Sequence, residues 1–270
     1  IDARSRALSL TEAPVRAIAD RRTGVGFDQL IVIEPPRTEG ATAFMRILNP
    51  DGSESGACGN ATRCVGHLLM EQSGTAEAVI ETISGLLPAR AEAGGLVTVD
   101  MGPARLDWRD IPLAGPADTL CLDVAEGPWS GPVAVSMGNP HAVFFVDDVN
   151  AVPLERVGPV LEHHPAFPQR ANIEFVQVLS RTQLRMRVWE RGAGITRACG
   201  SGSCAAQVAA VRRGLTDRRA EVVLDGGSLT IEWRDDGHVL MTGPVALSFS
   251  GVLQPELLGK TSAEAALVTA

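Results

Sequence analysis

The same short turn occurs twice in this chain, half its length apart. NPDGSESGACGNATRC runs from Asn49 to Cys64, and WERGAGITRACGSGSC from Trp189 to Cys204. Each holds Ala-Cys-Gly, at Cys58 and Cys199, 141 positions apart. Each leads into helical apolar spacing. Ala61, Cys64, Val65, Leu68 and Leu69 make the first stripe, and Cys204, Ala205, Val208 and Val211 the second. Strand-like runs precede and follow both. This order predicts a duplicated α+β domain rather than a short-period solenoid. The identity is confined to a few residues, so the repeat is read from the order of patterns.

Between the turns the elements are readable but plain. A helix is predicted over 11–22, with Pro14 in its first turn and Gly24 and Gly26 beyond its end. Strands are predicted at DQLIVIEPP, TAFMRILN, EAVIETI, LLPARAEA, LVTVDM, VAVSM, HAVFFV, NIEFVQVL, LRMRVWE, AEVVL, SLTIEW, HVLMTG and VALSF. A short helix is predicted over 157–163. The stretch 102–132, rich in Pro, Gly and Asp, is taken as the region of the domain boundary, and the last dozen residues as a frayed tail.

Composition removes several functions. A net charge of −8 disfavours a nucleic-acid partner, because phosphates need a basic face. The sequence holds no apolar run of transmembrane length and no signal-peptide pattern. Five cysteines at low density fit free thiols in a reducing cytosol better than a disulfide scaffold. The one lysine, Lys260, sits near the C-terminus without a surrounding motif, which argues against pyridoxal phosphate. No cofactor is expected.

The five cysteines divide into two kinds. Cys64, Cys121 and Cys204 are read as buried small hydrophobes, Cys121 in the strand-like run DTLCLDV. Cys58 and Cys199 each stand about one residue before a helix. There the N–H groups and the dipole lower a thiol's pKa and favour the thiolate. The spacings Cys58-x5-Cys64 and Cys199-x4-Cys204 do not make a zinc knuckle, and C-x-x-C is absent, so no metal is expected. A Cys-His acyl transferase with His141 as base would leave the second cysteine unexplained. Two acid–base thiols on opposite faces of one carbon explain the pair. One base tends to return a proton to the face it came from, whereas a thiolate and a thiol in opposition invert the centre. The helix N-termini would receive the substrate carboxylate.

Five stretches carry a resemblance to a known family: GVGFDQL, NPDGSESGACGNATRC, SMGNPHAVFFVDD, NIEFVQV and WERGAGITRACGSGSCAA. In this order the chain closely resembles diaminopimelate epimerase. The resemblance implies an α+β fold of two pseudo-symmetric domains, each a mixed sheet around a central helix, with the active site in the cleft between them. It implies domains 1–103 with 245–270, and 104–244. It implies a cytoplasmic, homodimeric enzyme that interconverts LL- and meso-2,6-diaminopimelate. Cys58 and Cys199 match the two catalytic thiols. Gly59, Asn60, Gly200 and Ser201 match the helix starts that hold the reacting carboxylate and amino group. Asn49, Asn172 and Arg191 match contacts to the distal amino-acid end, and Gln29, Asn139 and Glu190 match further contacts. His141 matches a site histidine. Read alone, Asn49 before Pro50 and Asn139 before Pro140 are ordinary turn formers, and Glu190 with Arg191 an ordinary surface pair.

Departures and rivals complete the reading. The family begins with a strand bearing a GLGNDF-like motif, and IDARSRAL resembles the residues just after it. A strand's length is therefore expected to be missing, and the 270 residues as written to be inactive or unstable. Arg197, two residues before Cys199, is expected to add positive charge near the thiolate. The rivals are a proline racemase-like or PhzF-like isomerase of the same fold, and a redox-responsive protein that joins Cys58 to Cys199.

Overall fold

The structure, a computed structural model, describes residues 1–56 and 58–258. The chain forms two units, one of Ile1–Ala89 with the described residues 245–258, the other of Arg90–Pro244. The predicted C-terminal tail lies outside the described residues.

The first unit opens with α1 (Glu12–Ala19), shorter than predicted. The Asp20 carboxylate accepts the N–H groups of Arg22 and Thr23 at 2.7 and 2.8 Å, which takes the chain out of the helix. β1 (Leu30–Glu34) runs antiparallel to β2 (Ala43–Leu48), which pairs antiparallel with the short β3 (Glu54–Ser55). α2 (Gly59–Ser73) then crosses over to β4 (Glu77–Thr82), which lies parallel to β2. β5 (Gly85–Ala91) follows beside β4, and the division between units falls within it.

The core face of α2 differs from the predicted stripe. Thr62, Arg63, Val65, Gly66, Leu69 and Met70 are buried, while Cys64 is exposed and Leu68 is 38 % exposed. The helix is turned by about one residue because Gly66 faces the strands. A Cβ there would lie 2.8 Å from the Ala89 Cβ and 3.4 Å from Ile80 Cδ1. Hydropathy spacing discounts a Gly, a Thr and an Arg as core residues, so it selects the neighbouring stripe.

The second unit begins with β6 (Leu96–Pro103). A small hairpin, β7 (Ala125–Glu126) and β8 (Trp129–Ser130), precedes β9 (Val133–Ser136) and β10 (Pro140–Phe145). Next come α3 (Leu154–Glu162), β11 (Asn172–Ser180), β12 (Gln183–Glu190) and the short β13 (Gly194–Thr196). α4 (Gly200–Arg212), β14 (Arg219–Leu224), β15 (Gly227–Trp233) and β16 (His238–Pro244) complete it. The sheet order is β6-β16-β15-β14-β12-β11-β10-β9, with β13 on β12. It is mixed: β10–β11 and β12–β14 are parallel, and α3 and α4 are their crossovers. Both units are therefore α+β, as expected.

The two units divide at 89/90, and β6 hydrogen-bonds to β16 along Leu96–Pro103. Three further expectations change here. The stretch 102–132, expected at the domain boundary, lies inside the second unit: Ile111, Leu113, Leu122 and Val124 are buried in its core. Cys121 is exposed in a turn of that stretch, and VALSF forms no strand.

The two faces of this sheet are covered differently. Along β10 and β11, Ala142, Phe144, Ile173 and Phe175 enter a core with Leu154, Val157 and Leu161 of α3. The Phe144 and Phe175 rings stack with centroids 5.2 Å apart. By strand alternation His141, Asn172 and Glu174 face the other side, where α4 packs. α4 is buried nearly all round, from Gly200 and Gly202 through Ala210. Its Gly, Ser and Ala residues let the backbone approach the strands.

Candidate active site

Cys58 and Cys199 are the N-cap residues of α2 and α4. Both have extended backbone, φ −151° and ψ 100° for Cys58, φ −128° and ψ 114° for Cys199. In each the sulfur accepts the N–H three residues on, from Ala61 and from Gly202, at 3.4 Å in both cases. Each sulfur takes the place that an Asp or Ser oxygen holds in an ordinary cap. The match extends one residue further. Thr62 and Ser203, both fully buried, donate their hydroxyls to the Cys58 and Cys199 carbonyls at 2.9 and 2.8 Å. The true internal correspondence is thus Cys-x3-hydroxyl, and Arg63 stands where Cys204 does. The second cysteines that make the two stretches look alike are offset by one, Cys204 being buried and Cys64 exposed.

Around Cys199 the second unit assembles most of its predicted residues. Ser201 Oγ lies 3.7 Å from the sulfur. Asn139 donates to Ser201 Oγ at 3.4 Å, and its carbonyl oxygen is 3.0 Å from His141 Nε2. His141 Nδ1 is 2.7 Å from Glu174 Oε1, with both side chains fully buried. Glu190 accepts from the Thr196 hydroxyl. Asn172 donates to the Pro140 carbonyl at 3.0 Å and accepts the Arg191 N–H at 2.9 Å. The Arg191 guanidinium, half-buried, donates to the Gln169 carbonyl at 3.1 Å and keeps donors for a carboxylate. Glu190 and Arg191 go to different partners.

The thiol chemistry of Cys199 runs against the expectation of a lowered pKa. Burial raises its pKa well above the ordinary thiol value, and the Glu190 and Glu174 carboxylates add to the rise. The Gly202 N–H and Ser201 hydroxyl pull the other way and do not win. Arg197 is not among the groups that act on the Cys199 pKa; its guanidinium donates to the Asp225 carbonyl at 3.2 Å.

The first unit gathers fewer polar groups. Gln29 donates to Asn49 Oδ1 at 3.4 Å, and Asn49 donates to Ser53 Oγ at 3.0 Å. Asn60, at the second position of α2, accepts from the buried Arg63 at 3.0 Å. Gly59 and Gly200 are the first, buried residues of their helices.

Four contributors went unnoticed in the sequence: Thr62, Ser203, Glu174 and Glu162. The first two carried a signal, a hydroxyl four positions after each Ala-Cys-Gly cysteine. Glu174 lay unmarked within NIEFVQV. Glu162, 3 % exposed, accepts from Trp189 Nε1 at 2.7 Å and from the Gly192 N–H at 2.9 Å, and so braces the loop bearing Arg191. It lies too far along the chain to be read with that loop. No described helix is long and apolar enough to cross a membrane.

The fold defines a class of two-part α+β proteins. A PhzF-family phenazine biosynthesis protein from Bacillus anthracis matches with a TM-score of 0.61 and 18 % identity, over 90 % of this chain and 88 % of that one. A hydroxyproline epimerase from Agrobacterium vitis matches with a TM-score of 0.62 and 18 % identity, over 86 % of this chain and 76 % of that one. Sequence narrows the class. The family model described as diaminopimelate epimerase matches residues 1–106 and 133–248. A diaminopimelate epimerase of Rhodospirillum centenum is 65 % identical over 96 % of this chain and 89 % of its own length. The chain belongs to the diaminopimelate epimerase family.

Proposed function

We propose that this chain is a cofactor-independent epimerase that interconverts LL- and meso-2,6-diaminopimelate, with Cys58 and Cys199 as its acid and base. The observation that carries the reading is the twinned cap, two cysteines holding the same position on two helices in a chain of this family. One sulfur, as thiolate, takes the α-proton. The electron pair left on the α-carbon spreads onto the carboxylate, whose charge the N-terminal N–H groups of the helices hold. The other thiol gives its proton to the opposite face. Between turnovers the pair holds one proton in all and titrates as a pair. Asn60, Gly59, Gly200 and Ser201 bind the reacting end. Arg191 pairs with the distal carboxylate, and Asn49, Asn172, Gln29, Asn139 and Glu190 orient the rest. A cyclic imino acid has no distal amino-acid end for Arg191 to hold, which favours this substrate over proline. A cytoplasmic homodimer belongs to the same reading, and light scattering of the purified chain tests the dimer.

Turnover of LL-diaminopimelate in heavy water is the direct test. Deuterium enters the α-carbon of the epimerised product. Cys58→Ser and Cys199→Ser each lower epimerisation by at least about a thousandfold, as expected for loss of a reacting group. Undiminished turnover in either variant removes the two-thiol mechanism.

A further inference from the structure

We propose that Glu174 is a positioning residue for Cys199: it fixes the tautomer of His141 and thereby the direction of a chain of hydrogen bonds that ends on the Cys199 sulfur. The inference rests on the epimerase reading only for the use to which the sulfur is put.

The geometry is that of a one-way chain. Asn139 Oδ1 can only accept, so at 3.0 Å His141 Nε2 must carry a hydrogen. With its oxygen committed to His141, Asn139 turns its amide to Ser201 Oγ at 3.4 Å. Ser201, having accepted there, has its own hydrogen for the sulfur at 3.7 Å. Every link donates toward Cys199. The state of His141 is set from its far side, where Nδ1 meets Glu174 Oε1 at 2.7 Å. Glu174 Oε2 is buried without a hydrogen-bond partner. At 2.7 Å two lone pairs cannot face one another, so a hydrogen lies on the Nδ1–Oε1 line as well as the one on Nε2, and burial, which raises the pKa of this carboxyl, favours it. Whether the shared hydrogen sits on carboxyl or imidazole, Nε2–H remains. Glu174 Oε1 also lies close under the start of α4, 2.8 Å from where a Cβ on Gly202 would stand.

A glutamine at 174 cannot do this. Its amide satisfies Nδ1 by donating or by accepting, so both neutral tautomers become available. In the Nδ1–H tautomer Asn139 turns over, and the Ser201 hydroxyl donates to Asn139 instead of to the sulfur.

The groups acting on Cys199 give the test a sign. They are Glu190 on β12, Glu174 on β11 and, on α4, the Gly202 N–H and Ser201 hydroxyl, with His141 on β10 behind Asn139. Where the shared hydrogen sits on His141, removing the Glu174 charge lowers the Cys199 pKa, whereas losing the chain raises it wherever that hydrogen sits. In E174Q, alkylation of Cys199 by iodoacetamide, followed by mass spectrometry against pH, is expected to slow about tenfold at fixed pH, the cost of a lost hydrogen bond to a charged acceptor. The profile moves to higher pH. With ¹⁵N-labelled histidine, and H141N to assign the signal, the unsubstituted protein is expected to show a hydrogen on Nε2 at neutral pH, and E174Q a mixture of tautomers. An alkylation profile that stays or moves down in E174Q overturns the proposal. So does a neutral Nδ1–H His141 in the unsubstituted protein, which reads the idea even if E174Q does not fold. Neither readout needs turnover. Failure of the heavy-water experiment would therefore count against the epimerase reading and leave this one standing on its own measurements.

Discussion

At the scale of the residue, one sulfur shows how burial and capping compete. A thiol at a helix N-terminus is ordinarily pulled toward thiolate, yet Cys199 is pushed well above the usual thiol range because it is enclosed and faces two carboxylates. This has a stability consequence. A group whose pKa is higher in the folded than in the unfolded state leaves the native protein holding more protons above the unfolded value. Stability is then complete below about pH 8.5 and lost as pH rises toward the folded pKa. Cys199→Ser is expected to flatten the fall in melting temperature between about pH 8.5 and 10. The buried hydroxyls behave alike in the two units. Thr62→Val and Ser203→Ala each remove a hydrogen bond to a cap carbonyl and are expected to cost about 1–2 kcal/mol, read by denaturant unfolding. Equal costs would show that the twinned caps are energetically as well as geometrically alike.

At the scale of the element, the loop after β12 depends on α3. Gly158 of α3 lies under the Trp189 ring, and a Cβ there would fall 2.5 Å from Cδ2. The ring's N–H and the Gly192 N–H both go to Glu162, which ties the ring and the Arg191 loop to the helix. Gly158→Ala is expected to destabilise the protein by about 1–3 kcal/mol through overpacking. It should raise KM more than it lowers kcat, because the displaced group is the one proposed to bind the distal end. An unchanged KM in steady-state assays would separate this packing from substrate binding. Such couplings were not legible in the chain. The strands around the site were legible from their β-branched and aromatic runs, whereas the face α2 buries was not, because Thr62 and Gly66 carry no hydropathic signal.

At the scale of the whole molecule, the repeat sets a further expectation. Each chain carries both Cys turns, so each is expected to complete its own acid–base pair. An equimolar mixture of Cys58→Ser and Cys199→Ser proteins should then recover no epimerase activity. Recovery of roughly a quarter on mixing and refolding, the value for random pairing in a dimer with shared sites, would assign the two thiols of one site to different chains.

The sequence by itself determined the repeated cysteine turns, their helices and most strands, and, through the family's residues, the chemistry to expect. Those features are local: a few neighbouring residues, a cap and a period settle them. Tertiary structure alone decided that Cys199 is buried among carboxylates and that Arg197 turns away to Asp225. It also decided that His141 meets Glu174, 33 positions away, because β10 and β11 pair in parallel with His141 opposite Asn172. Strand register and desolvation are set by partners distant in the chain, and no local spacing encodes them.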